Sequence, residues 1–130
     1  MKNLFLILLT STLLFSCSHD PKEKLIGEWK EYYGIGEKTD VNYNNIYKIQ
    51  LASEGDLIIT CITRNNYLFD NIVFDSEELS FRKENTIDPN EKFYVYGKLK
   101  LNSKGDWFEG TMKNSRGKTS HVKWEKIENK

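Results

Sequence analysis

Lys92-Phe93-Tyr94-Val95-Tyr96-Gly97-Lys98-Leu99-Lys100-Leu101 is the stretch on which the fold turns. Successive side chains of an extended chain point to opposite faces. Phe93, Val95, Gly97, Leu99 and Leu101 therefore share one face, and Tyr94, Tyr96, Lys98 and Lys100 share the other. Such alternation marks a strand with one side in a core and one in water. Asn102-Ser103-Lys104-Gly105-Asp106 follows, a run of residues that tolerate tight-turn angles. The chain then alternates again over Trp107 to Lys113, with Phe108, Gly110 and Met112 opposed to Glu109 and Thr111. Ser115-Arg116-Gly117-Lys118 turns it into Thr119 to Ile127, where Val122 and Trp124 oppose Lys123 and Glu125. Three strands joined by short turns predict an antiparallel meander.

The same period runs upstream. Strands are expected at Gly27 to Tyr33, Ile46 to Ala52, Leu57 to Thr63, Asn71 to Phe74 and Glu78 to Lys83. Tyr47, Ile49 and Leu51 form the inward set of the second strand, and Leu79 and Phe81 that of the fifth. Leu57-Ile58-Ile59-Thr60-Cys61-Ile62 is apolar on both sides and leaves its register open. Helical periodicity is missing throughout, and no helix-length stretch separates strands as a βαβ unit requires. Eight strands predict an all-β domain, an antiparallel barrel or sandwich; closure into a barrel removes exposed edges.

The N-terminus carries an export signal. Met1-Lys2-Asn3 is positive, Leu4 to Phe15 is an apolar core of about a dozen residues, and small Ser16 precedes Cys17. A spanning helix needs roughly 20 residues, so this core is too short to anchor the chain by itself. Leu14-Phe15-Ser16-Cys17 resembles a bacterial lipobox. The resemblance implies a signal peptide over residues 1–16, cleavage between Ser16 and Cys17, diacylglycerol on the Cys17 thiol and acylation of the new N-terminus, palmitate being the kind of chain involved. Residues 17–24 then form a polar tether, and residues 25–130 the domain. Ser18, not Asp, follows the cysteine, which resembles the pattern that sends Gram-negative lipoproteins to the outer membrane. The expected location is thus the cell envelope, with the membrane as a partner through the lipid.

Cleavage removes one of the 19 basic residues, Lys2, and none of the 19 acidic ones, so the exported chain is close to neutral. Nucleic-acid binding needs a concentrated basic face, and none is expected here. Cys61 is the only other cysteine. With Cys17 lipidated it has no partner, and its apolar neighbours predict a buried free thiol.

Leu25-Ile26-Gly27-Glu28-Trp29 resembles the opening of the lipocalins and related calycin barrels, which begin their first strand with Gly-x-Trp. The resemblance implies an eight-stranded up-and-down barrel, with Trp29 plugging the closed end and Gly27 allowing close backbone approach. It also implies that a basic side chain from the last strand, here Lys126, packs over Trp29 as a cation–π contact.

An eight-stranded barrel is just wide enough to be filled by side chains or to hold one small ligand. Trp29, Tyr47, Phe81, Phe93, Phe108 and Trp124 are all expected inside, so a small or shallow pocket at the open end is predicted. Glu31 shares parity with Trp29. Because a buried carboxylate is costly without a partner, either the strand bulges there or Glu31 meets a cation or a ligand near the rim. The residues show no nucleophile motif, phosphate loop or metal-ligand cluster, and the chain is read as a non-enzyme without a cofactor. His19 lies in the tether and His121 on an outward strand position. Glu77, Glu78, Glu84, Asp88 and Glu91 fall in or beside turns, where acids are solvated.

Two functions are compatible with this reading. One is a binding barrel for a small apolar or amphipathic ligand, with Glu31 and Tyr47 near it. The other is an interaction module, an inhibitor being one form of it, whose outward Tyr94 and Tyr96 contact an envelope protein or glycan; sheet propensity alone also places tyrosines there.

Overall fold

The computed structural model describes residues 20–35, 38–86, 90 and 92–128, and only the backbone of 35 and 38–44. Residues 1–19, with Ser16, Cys17 and His19, lie outside the described set, as do Asp88 and Glu91.

A single 3-10 turn, Glu23–Leu25, leads into eight strands: β1 (Gly27–Ile35), β2 (Lys38–Leu51), β3 (Leu57–Cys61), β4 (Tyr67–Asp75), β5 (Glu78–Asn85), β6 (Phe93–Leu101), β7 (Trp107–Asn114) and β8 (Thr119–Ile127). All ladders are antiparallel and the order is β3-β2-β1-β8-β7-β6-β5-β4. Each strand pairs with its sequence neighbours except at the β3–β4 step, and β1 joins β8 to wrap the sheet. The fold is an up-and-down barrel, nearly closed: β3 and β4 run side by side with no ladder between them among the described residues. Ile58, Leu68 and Val73 are exposed on these two edge strands.

The alternation sorts the side chains as expected. Leu99 and Leu101 of β6, Leu79 and Phe81 of β5, Phe108 and Met112 of β7, and Val122 and Trp124 of β8 are buried. β3 settles with Leu57, Ile59 and Cys61 inward, and Cys61 is a buried free thiol. Two elements start well before their expected first residue. β2 begins at Lys38, eight residues before the apolar run, because polar 38–45 is held by pairing with β1. β4 begins at Tyr67 through pairing with Asn85, and a bulge between Asp70 and Val73 puts Asn71 at φ 51°.

Aromatic rings fill the lower interior. Trp29 meets Phe108 at 4.9 Å, and Trp124 stacks on Tyr47 at 4.7 Å and on Phe81 at 5.4 Å. Inward-facing Gly97 leaves the space that the Phe81 ring occupies. Gly110 lies so close to β6 that a Cβ would strike the Lys98 carbonyl oxygen and come within 2.9 Å of Leu99 Cα. Backbone cannot swing aside as a side-chain tip does. Gly110→Ala is therefore expected to destabilise the domain by about 1–3 kcal/mol, read as a lower urea midpoint at unchanged slope.

Candidate functional site

The barrel has two unlike ends. At the closed end the 3-10 turn, the β2–β3, β4–β5 and β6–β7 turns and the end of β8 converge. Lys22 Nζ donates to the Gly55 carbonyl at 2.9 Å, and the Lys126 backbone N–H donates to Asp106 O at 2.8 Å. Trp29, fully buried, plugs this end and donates from Nε1 to the Leu25 carbonyl at 2.9 Å. Lys126 Nζ lies 5.6 Å from the Trp29 ring centre and donates to Lys24 O at 2.8 Å. Its stem passes over Gly27, whose φ of 141° and 3.3 Å clearance to Lys126 Cε explain why glycine stands there. Gly27, Trp29 and Lys126 thus meet as the resemblance implies.

Toward the other end the interior loosens. Tyr33, Tyr67, Phe93 and Val95 face inward but are only half-buried, whereas the rings below them are almost wholly covered. Between the two layers lies a buried polar chain. Glu31 is fully buried and points straight in. Its strand is regular along β8, with Glu31 opposite Trp124. The irregularity sits on the other side: Lys30 faces Ile46 while Tyr32 faces Asn42, so the extra residues belong to β2. Asn45, at the edge of that bulge and on the same face as Tyr47, is buried beside it.

Glu31 Oε1 accepts from the Tyr47 hydroxyl at 2.8 Å and from Asn45 Nδ2 at 3.1 Å; Oε2 accepts from Trp124 Nε1 at 2.8 Å. Three donors from two strands, β2 and β8, converge on one acceptor group, the arrangement that suits a carboxylate. Neutral donors therefore satisfy Glu31, and neither a turn to solvent nor a direct ion pair does so. The chain continues through Asn45 Oδ1 to the Thr63 hydroxyl at 3.4 Å.

Lys83 is the cation of the cluster. Its side chain is 4% exposed, and Nζ lies 3.3 Å from the Tyr47 hydroxyl and 3.5 Å from that of Tyr33. The Tyr67 ring centre is 4.5 Å away. Sequence reading missed Lys83, although the signal was there: it continues the inward parity of Leu79 and Phe81. Asn45 was missed as well: it continues the inward parity of Tyr47 and Ile49 but lies just before Ile46, where the strand was expected to start.

Burial pulls the Lys83 ammonium below the usual lysine range, and the Glu31 charge offsets part of that. Between the lowered folded-state pKa and about 10.4 the unfolded chain binds more protons than the folded one, so stability rises with pH there. Burial and the Glu31 charge also hold the Tyr47 phenol well above its ordinary value. This acts oppositely, removing stability as pH rises past about 10, where unfolded tyrosine ionises. Denaturant melts below pH 10 are expected to show an alkaline rise in the unaltered protein that Lys83→Met lacks.

The outer face carries the other candidates. Tyr94 is half-buried under Arg82, whose guanidinium is 4.8 Å from its ring, and Tyr96 is 50% exposed. A groove of about 370 Å³ beside Tyr96 is lined also by Arg82, Lys98 and Lys113. The two tyrosines and the Glu31–Lys83 cluster lie on opposite sides of the barrel wall. His121 lies on β8 with its ring nitrogen 2.9 Å from Glu109 Oε1. Among the described residues, no three His, Cys, Asp or Glu side chains gather as metal ligands. Scans against family models, curated proteins and solved structures find no match to this chain.

Proposed function

We propose that the protein is a lipid-anchored envelope lipoprotein with a lipocalin-like domain, whose barrel mouth binds a small apolar or amphipathic molecule. The observation that carries this reading is the graded interior. Packed rings fill the closed end, while half-buried Tyr33, Tyr67, Phe93 and Val95 surround a buried polar floor at the other. Binding sites are concave, mostly apolar and furnished with a few placed polar groups.

The position of the tether supports the same reading. The chain enters the barrel at the closed end, through Asp20 to Leu25. A lipid on Cys17 directs that end toward the membrane and the mouth toward the aqueous space. No helix of the described residues is long and apolar enough to cross a membrane. Native mass spectrometry of the protein released from its own envelope tests the reading: a reproducible added mass from a co-purifying small molecule is expected, and a bare polypeptide in repeated preparations counts against it.

The alternative, contact with an envelope protein or glycan through the outer face, draws on the exposed Tyr96 and its groove. Changing Tyr94 and Tyr96 to Ser leaves ligand capture intact under the first reading and abolishes partner capture under the second.

A further inference from the structure

We propose that the seam between β3 and β4 is a second membrane contact, whose outward aliphatic strip seats on the headgroup layer of the neutral, zwitterionic bilayer that holds the Cys17 lipid. This rests on the lipid-anchor reading above and adds a face of the domain to it.

Four of the seven large hydrophobics exposed among the described residues lie along this seam. Ile58 and Val73 stand toward the closed end, and Ile62 and Leu68 toward the mouth. They are between 45% and 59% exposed. Single exposed apolar residues need no explanation, but a contiguous strip marks a contact site. Among the described residues β3 and β4 are also the two strands with one unladdered edge. Proteins protect such edges with charge, proline or a covering element, whereas here aliphatic side chains flank both.

The tether enters on this side. Lys22 Nζ donates to the Gly55 carbonyl, in the turn leading to β3, at 2.9 Å, and Lys24 Nζ lies 5.8 Å from the Phe74 ring centre in β4. The backbone N–H groups of Lys22 and Glu23 donate to the Asp20 carboxylate and carbonyl, which fixes Asp20 to the same turn. Cys17 is three residues before Asp20, a reach of about 10 Å at full extension. A lipid on Cys17 therefore holds Asp20, and the base of the seam beside it, close to the headgroups. Ile58 and Val73 meet the surface first. A lean toward β3 and β4 brings down Ile62 and Leu68 and leaves the mouth open to water.

Charge selects the kind of surface. Glu54, Asp56, Asp75 and Glu84 border the strip against Lys48 and Arg64. Asp70, Glu77 and Glu78 are engaged by Arg82, Lys100 and Lys98. The segment Asp20 to Leu25 adds two charges of each sign. The border is thus acidic on balance. An anionic surface attracts basic segments and would repel this one. A second copy of the chain, seam to seam, would set two acidic borders against each other. A neutral bilayer accepts the apolar strip without either cost.

The test is methyl NMR of the full lipidated protein in phosphatidylcholine nanodiscs, with and without a nitroxide-labelled lipid. Docked apolar faces sit about 5–10 Å into the headgroup boundary. Paramagnetic broadening at the Ile58 and Val73 methyls is therefore expected to exceed that at Thr111, exposed on the opposite wall in β7, by about threefold or more. Ile58→Ser with Leu68→Ser should bring the Val73 broadening down to the Thr111 level, and phosphatidylglycerol in the discs should weaken it. The comparison of Val73 with Thr111 in the unaltered chain needs no variant to fold. Equal broadening at the two, with acyl mass present on Cys17, overturns the proposal and leaves the anchor standing; absence of acyl mass overturns both. Broadening that grows with phosphatidylglycerol or survives the double change also overturns it. So does broadening that appears without nitroxide and rises with protein concentration, the mark of a second copy.

Discussion

Glu31→Ala is expected to lower the stability of the domain by about 3–5 kcal/mol, the range seen when one member of a buried charged network is removed. The Tyr47 hydroxyl, Asn45 Nδ2 and Trp124 Nε1 would all lose their acceptor inside the nearly closed barrel. An unsatisfied buried donor costs about 1–3 kcal/mol, and the vacated space is too enclosed for free relaxation. Domains of this size are stable by only about 5–15 kcal/mol, so the loss takes a large share of the total. Thermal melts by circular dichroism should show a midpoint lower by roughly 15 °C or more. Glu31→Gln keeps the shape but turns an amide N–H₂ toward donors, and is expected to fall between the two. Asp70→Asn breaks the exposed Arg82–Asp70 pair and should move the midpoint little. A Glu31→Ala midpoint shift as small as that of Asp70→Asn would show that the buried network contributes little.

Cys17→Ser is expected to move the protein from the membrane fraction to the soluble one. The expectation rests on the proposed lipidation. Each buried acyl methylene contributes about 0.8 kcal/mol, one chain gives marginal binding and two or more give stable anchoring. No helix of the described residues replaces that anchor, and the apolar core before Cys17 is shorter than a spanning helix. Carbonate-washed membranes should retain the unaltered protein and release the variant. Mass spectrometry of the N-terminal peptide should show acyl mass on Cys17. Tight membrane retention of the variant, or an unmodified Cys17 peptide, would refute the anchor.

Much of the barrel could be read directly. Strand periodicity is local, and a two-residue alternation needs no knowledge of partners. The inward sets of β5 to β8 and the turns between them were therefore legible. The Gly27–Trp29–Lys126 contact was legible as well, through resemblance. The first part of β2 was not, because polar 38–45 becomes strand only by pairing with β1.

What the sequence by itself determined is the all-β class, the strand faces and the burial of the Cys61 thiol, each of which depends on neighbouring residues alone. What only the tertiary structure decided is closure through the β1–β8 ladder and the meeting of Glu31, Asn45, Tyr47, Lys83 and Trp124. Parity could place Glu31 inside the barrel, but only three-dimensional contact shows what answers its charge. The donors come from 14, 16 and 93 residues away. Their convergence depends on barrel register and on one bulge in β2, quantities that no local pattern encodes.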